Sequence, residues 1–116
     1  MTIQRIRPGA RMSAAVVHGN TIYLAGQVAD KTAGKSVAEQ TAEILSIIDD
    51  LLKEAGSDKT KILSVNIYLP DIATFAEMNS VWDQWVPKGH TPARATVEAK
   101  LAAPAYKVEI MAVAAK

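Results

Sequence analysis

From Ala93 to Leu101 apolar and polar residues alternate without a break. Ala93, Ala95, Val97, Ala99 and Leu101 share one side; Arg94, Thr96, Glu98 and Lys100 share the other. Side chains of a strand point to opposite faces in turn, so this period of two predicts a strand with one face on a core. Pro92, which lacks an N–H, suits its first position. A second alternation, over residues 61–69, sets Leu63, Val65, Ile67 and Leu69 against Ser64, Asn66 and Tyr68. A third, over residues 106–114, sets Tyr106, Val108, Ile110 and Ala112 against Lys107, Glu109, Met111 and Val113. Near the start, apolar runs at 14–18 and 21–27 flank Gly19–Asn20, a two-residue connector that predicts a hairpin with positive-φ turn residues. Residues 1–12 are polar and mixed, with Pro8–Gly9 as a turn signal, and read as an extended arm; residues 28–35 read as a loop.

Two segments change period from two to 3.6. Ser36–Val37–Ala38–Glu39 is a capping box, in which the serine accepts an early N–H and the glutamate reaches back. Behind it Val37, Thr41, Ile44, Leu45, Ile48, Leu51, Leu52 and Ala55 form one stripe, and Gly56 stands where helices favour glycine. A second helix follows Pro70–Asp71, with Phe75, Met78, Trp82 and Trp85 at helical spacing as core, and stops at Pro87–Lys88–Gly89. The predicted order is β-β-α-β-α-β-β, an α+β fold with both helices on one face of a single sheet. The other face carries Met111, Val113, Tyr23 and Ala25. An uncovered apolar face of this kind predicts a protein contact, most simply self-assembly.

A chain of 116 residues predicts one domain, residues 1–116. Apolar residues make up 49% and charged ones 22%, as in ordinary soluble proteins. A net charge of +1 without any run of like charges disfavours nucleic acid as the main partner. The absence of cysteine excludes disulfides, thiolate nucleophiles and zinc–thiolate sites. His18 and His90 fit no metal-ligand spacing, so no metal or other cofactor is expected. Arg5 and Arg7 are followed by no signal-like apolar segment, and no apolar run nears the ~20 residues of a membrane span. A cytoplasmic location is expected.

Arg94 is the leading candidate for chemistry. It stands at a strand entry past the Gly89 turn, on the face expected to point away from the core. Its planar fork of donors matches a carboxylate, so it reads as the anchor of a small substrate. The alternative is an arginine in a structural ion pair or a subunit contact. A cleft between subunits, partly desolvated, is the natural place for such an anchor to act.

Four segments in order, GNTIYLAGQ (19–27), NIYL (66–69), PARATVE (92–98) and VEI (108–110), resemble the Rid family, also called YjgF or L-PSP, and the likeness runs over nearly the whole chain. The resemblance implies a fold similar to the trimeric chorismate mutase of bacilli, as a homotrimer with inter-subunit clefts. It implies hydrolysis of 2-imino acids to 2-keto acids and ammonia. Arg94 then matches the carboxylate clamp and Glu109 the residue that positions water; Gly26 and Thr96 match positions whose backbone lines the cleft. Met12 stands where many members place an aromatic residue, and Ala25 where they place a serine, so two hydroxyls are missing. Pattern alone would pair the last two strands as a hairpin, with Glu98 facing Glu109. The resemblance instead puts the last strand between the early strands and the 61–69 strand. Competing functions are a non-catalytic carboxylate binder or sensor with the same clefts and, less favoured by charge, RNA cleavage.

Overall fold

The computed structural model describes residues 1–116. Six strands, Ile3–Pro8 (β1), Ser13–His18 (β2), Thr21–Leu24 (β3), Ile62–Leu69 (β4), Ala93–Glu98 (β5) and Glu109–Ala115 (β6), form one sheet in the order β1-β2-β3-β6-β4-β5. Only β4 and β5 run parallel; every other pairing is antiparallel. Helices Val37–Glu54 (α1) and Phe75–Trp85 (α2) pack on each other and on one face of this mixed sheet. The last strand therefore lies where the family resemblance put it, and the hairpin between β5 and β6 does not form.

The expected N-terminal arm is an edge strand. β1 pairs with β2 from Ile3↔His18 to Pro8↔Ser13, yet it buries only Ile6. Backbone pairing holds it, and hydropathy carries almost no trace of that. At the hairpin between β2 and β3 only Gly19 takes positive φ (61°); Asn20 does not. The primed turn expected there needs this at its first central position alone when it is of type II′.

Residues opposite one another on paired strands share a face. Ala15, Val17, Ile22, Leu24, Val65, Ile67, Leu69, Ile110, Ala112 and Ala114 are all buried beneath the helices. The opposite, open face runs Val16–Tyr23–Val113–Ser64–Ala93 in one row across the strands. Asn66 pairs with Met111 and Ala95 in the next row, and Tyr68 with Glu109 and Val97 in the one after. Tyr23 and Val97 are about half exposed (50% and 48%) on that face.

Three strand details differ from the alternation. β5 stops at Glu98, and its phase is inverted: Val65↔Arg94 and Ile67↔Thr96 place Arg94 and Thr96 on the helix face, with Ala93, Ala95 and Val97 on the open one. Alternation says which residues are together, not which side the core takes, and alanines are too small to decide. In β4 a bulge between Ile62 and Ser64 buries Ile62 and leaves Leu63 53% exposed. β6 begins at Glu109, so Tyr106 stands outside the strand and donates its hydroxyl to Asp30, while Val108 and Ala114 join the core. The Asp30 carboxylate beside it raises the Tyr106 pKa.

α1 follows its stripe closely. Val37, Thr41, Ile44, Leu45, Ile48, Leu51, Leu52 and Ala55 are all buried, and Gly56 stops the helix at φ 82°. Ser36 Oγ accepts the Glu39 N–H (3.1 Å), as a cap should. Glu39 does not complete the box; its carboxylate accepts from the Ser36 hydroxyl, and the Ala38 N–H goes to Glu77 of α2. Gln40, also fully buried, donates to the carbonyl of Ala105 (2.9 Å) and accepts the N–H of Lys107 (2.9 Å), fixing the segment that leads into β6. In α2, preceded by a short 3₁₀ turn over Ile72–Thr74, Met78 and Trp82 are core while Phe75 is 41% exposed.

Replacing Ser36 by alanine removes the one side-chain cap of α1 while leaving its buried stripe intact. The expected loss is about 1 kcal/mol in urea unfolding, at unchanged m-value.

Candidate active site

The β4–β5 register directs Arg94 toward α2, where no carboxylate lies within ion-pair distance of it. Nη1 donates to Asn79 Oδ1 (2.8 Å), and Cζ lies 5.1 Å from the Trp82 ring centroid and 5.7 Å from that of Phe75. Phe75, Asn79 and Trp82 are four and three residues apart, so the helix turn aligns them on one side facing β5. The chain forms one ion pair, Arg7 with Glu54, and Arg94 is not in it. Half-buried arginines are commonly matched by carboxylates; this one is held by an amide oxygen and two π-faces, which orient it without cancelling its charge. Sequence reading placed Phe75 in the core stripe and passed over Asn79; the 75–79–82 spacing was the available signal.

Thr96 lies two residues further along the same face. Its Oγ1 is buried and has no hydrogen-bond partner. An unpaired buried hydroxyl is uncommon and costs of order 1–3 kcal/mol, so it marks a position with unspent bonding capacity beside Arg94.

Glu109 is on the other face. It opens β6 opposite Tyr68, and its side chain folds over Gly26, held close by the paired backbone bonds between Gln27 and Ile110. A Cβ built on Gly26 would lie 3.0 Å from Glu109 Cδ and closer still to Oε2, so glycine leaves the space the carboxylate occupies. Ala25 donates its N–H to the Ala14 carbonyl (2.9 Å), bringing it to the same end of the sheet. Met12, 64% exposed, sits in the turn before β2. Gly26 and Glu109 are thus brought together, and Arg94 and Thr96 are brought together, but the two pairs are separate. Between Arg94, opposite Val65, and Glu109, opposite Tyr68, lie three residues along β4 and two strand spacings. That is about 10 Å in each direction, with the side chains on opposite faces. None of the surface pockets of the chain contains any of these six residues; one, of about 410 Å³, lies instead between Ser36, Thr74, Glu77, Tyr106 and Lys107. Nor does any group of three His, Asp or Glu side chains gather as a metal site would require. No helix is long and apolar enough to cross a membrane.

The chain is similar in sequence and fold to known proteins. The family described as Endoribonuclease L-PSP matches residues 2–116. A RutC family protein of Haemophilus influenzae is 50% identical over 114 residues, covering 98% of each chain. The RutC family protein YoaB of Escherichia coli K12 is 49% identical over 99% of both. A crystal structure of a YjgF family member from Neisseria meningitidis superposes with a TM-score of 0.96 at 47% identity, covering all of this chain and 96% of the other. With the sequence likeness spanning both halves of the sheet and the fold superposing along its whole length, the chain belongs to the Rid family, the group also called YjgF, RutC and L-PSP.

Proposed function

We propose that the protein hydrolyses 2-imino acids to 2-keto acids and ammonia, in clefts where Arg94 of one copy faces Glu109 of a neighbouring copy in a homotrimer. The observation that carries this reading is the uncompensated charge of Arg94, fixed by neutral groups beside the unpaired Thr96 hydroxyl. A 2-imino acid holds its carboxylate one bond from its reactive carbon, so anchor and water-positioning group must approach within one small molecule. Arg94 and Glu109 cannot do so within a single protomer, because the sheet stands between them. A second copy on the open face, where Tyr23, Met111, Val113 and Val97 are unpartnered, supplies the missing half.

In such a cleft the guanidinium binds the carboxylate through two N–H donors. The substrate reacts as its N-protonated iminium: Glu109 accepts a proton from water as its oxygen attacks C2, and the C=N electron pair moves to nitrogen, which becomes an amine. The resulting carbinolamine collapses: Glu109 returns its proton to the nitrogen, the C–N bond breaks as the C2 hydroxyl becomes the keto C=O, and the hydroxyl proton leaves with the ammonia as ammonium. Orientation supplies up to about 7–11 kcal/mol of such a barrier, and general base action about 10²–10⁴-fold. The absent hydroxyls at Met12 and Ala25 favour a second reading, a carboxylate-binding protein that uses the cleft without turnover.

Arg94→Lys is expected to lose 2-iminobutanoate hydrolysis nearly as fully as Arg94→Ala, since lysine keeps the charge and loses the fork. Both variants should keep the wild-type melting temperature to within a few degrees. Turnover surviving in Arg94→Ala would sink the assignment; wild-type binding of 2-oxobutanoate without turnover of the imine would favour the second reading.

Gly26→Ala should move the Glu109 carboxylate, the flexible partner in the contact, and leave the strands in place. Ammonia release is expected to fall by about ten- to a hundredfold, with circular dichroism unchanged. Equal activity in Gly26→Ala and wild type would separate Glu109 from the chemistry.

Sedimentation at micromolar concentration should give a trimer, and Val113→Lys should dissociate it. A stable wild-type monomer would remove the composite cleft.

A further inference from the structure

We infer that Asn79, Phe75 and Trp82 are positioning residues that hold the Arg94 guanidinium ready, fixed but unneutralised, for an incoming carboxylate. The inference rests on the reading of Arg94 as a carboxylate anchor and adds how the protein prepares it. A flexible arginine must lose side-chain freedom each time it binds, whereas a guanidinium already fixed spends that loss during folding. The usual fixing partner is a carboxylate, which would also compete with the ligand for the same donors. Asn79 fixes Nη1 through a neutral oxygen at 2.8 Å, and the rings of Trp82 and Phe75 hold the cation by its faces. The remaining N–H donors stay available.

The cradle is itself braced. Trp82 packs against Trp85, with ring centroids 5.4 Å apart and planes inclined at 50°. Trp85 donates its indole N–H to Asp49 of α1 (2.9 Å), and Lys59 lies over its ring at 5.2 Å while donating to its carbonyl at 2.7 Å. Trp82 is 6% exposed, so the ring that faces Arg94 is locked from behind. Phe75, 41% exposed, forms the outer side of the cradle.

The distinctive consequence concerns charge. Asn79→Asp keeps the geometry and strengthens the hold on Arg94, yet cancels the charge a ligand needs. Asn79→Ala does the opposite, releasing the side chain and preserving its charge. A residue of merely structural importance would show the reverse ranking for ligand affinity, with aspartate tolerated.

The test is ¹⁵N-edited NMR of the arginine side chains in the ligand-free protein, together with titration of 2-oxobutanoate. Wild type, Asn79→Ala, Asn79→Asp and Phe75→Leu are compared, with Arg94→Ala identifying the resonance and melting temperature checking the fold. In wild type the Arg94 signal should be slow in rotation and displaced by ring currents, unlike that of exposed Arg11. Asn79→Ala should move it toward Arg11 and weaken 2-oxobutanoate several-fold; Asn79→Asp should leave it fixed and weaken binding by about ten- to a hundredfold. Phe75→Leu, at an exposed ring, should reduce the displacement and keep the fold. An Arg94 signal as mobile as Arg11 in wild type, or unaltered in Asn79→Ala, overturns the inference. So does Asn79→Asp binding as tightly as wild type. A fixed Arg94 freed by Asn79→Ala, in a protein that binds no 2-oxobutanoate at all, upholds the cradle and instead discards the carboxylate reading of the site.

Discussion

The insertion of β6 between β3 and β4 is the constraint on which the molecule turns. It is the only strand paired both to the N-terminal three-stranded half and to the β4–β5 half, so without it the sheet is two fragments. It also settles an electrostatic conflict. Paired as a hairpin, β5 and β6 would oppose Glu98 to Glu109, two like charges across one ladder. With β4 between them, Glu98 sits opposite Leu69 and accepts the N–H of Ile72, and Glu109 sits opposite Tyr68 above Gly26. Such a sheet is closed by contacts far apart in sequence, which is the topology that folds slowly.

What the sequence made legible follows physical strength. α1 was readable to its ends because cap, stripe and terminal glycine agree with one another. The three long alternations each marked a strand, but two kinds of information were missing from them. The side taken by the core is set by partners, so the alanines of β5 misassigned Arg94 to the outer face until Trp82 and Phe75 were seen on the other. Register irregularity is equally silent: nothing in residues 61–69 distinguishes Ile62 as the buried residue from Leu63 as the exposed one. β1, with Ile6 alone in the core, and Gln40, a polar residue that serves loop carbonyls from inside an apolar stripe, are legible only with the tertiary structure in hand. Of the candidate site, Arg94 was named from the strand pattern, and Thr96, Gly26 and Glu109 through the family resemblance. Their division between two faces follows from the strand order and register, and Asn79 came from geometry alone.

Two ways of treating an arginine, one exposed and one half-buried, stand side by side in this chain. Arg7, in a left-handed backbone conformation (φ 48°), is spent on Glu54 and ties β1 to the last turn of α1. Arg94 is oriented by groups that take nothing from its charge. The first arrangement contributes to the fold and is screened by salt and solvent. The second leaves an electrostatic demand unanswered within the chain, which is the property the proposed carboxylate anchor requires.

The placement of Arg94 and Glu109 on opposite faces has a genetic consequence. On the composite reading, each subunit contributes its arginine to one cleft and its glutamate to another. A protein defective only in Arg94 and one defective only in Glu109 would each be inactive alone. Mixed in one ring, they must meet at a junction where the intact arginine of one faces the intact glutamate of the other. Two null alleles would thus complement each other in the same cell, and a single dominant subunit could not silence every cleft of the assembly it enters.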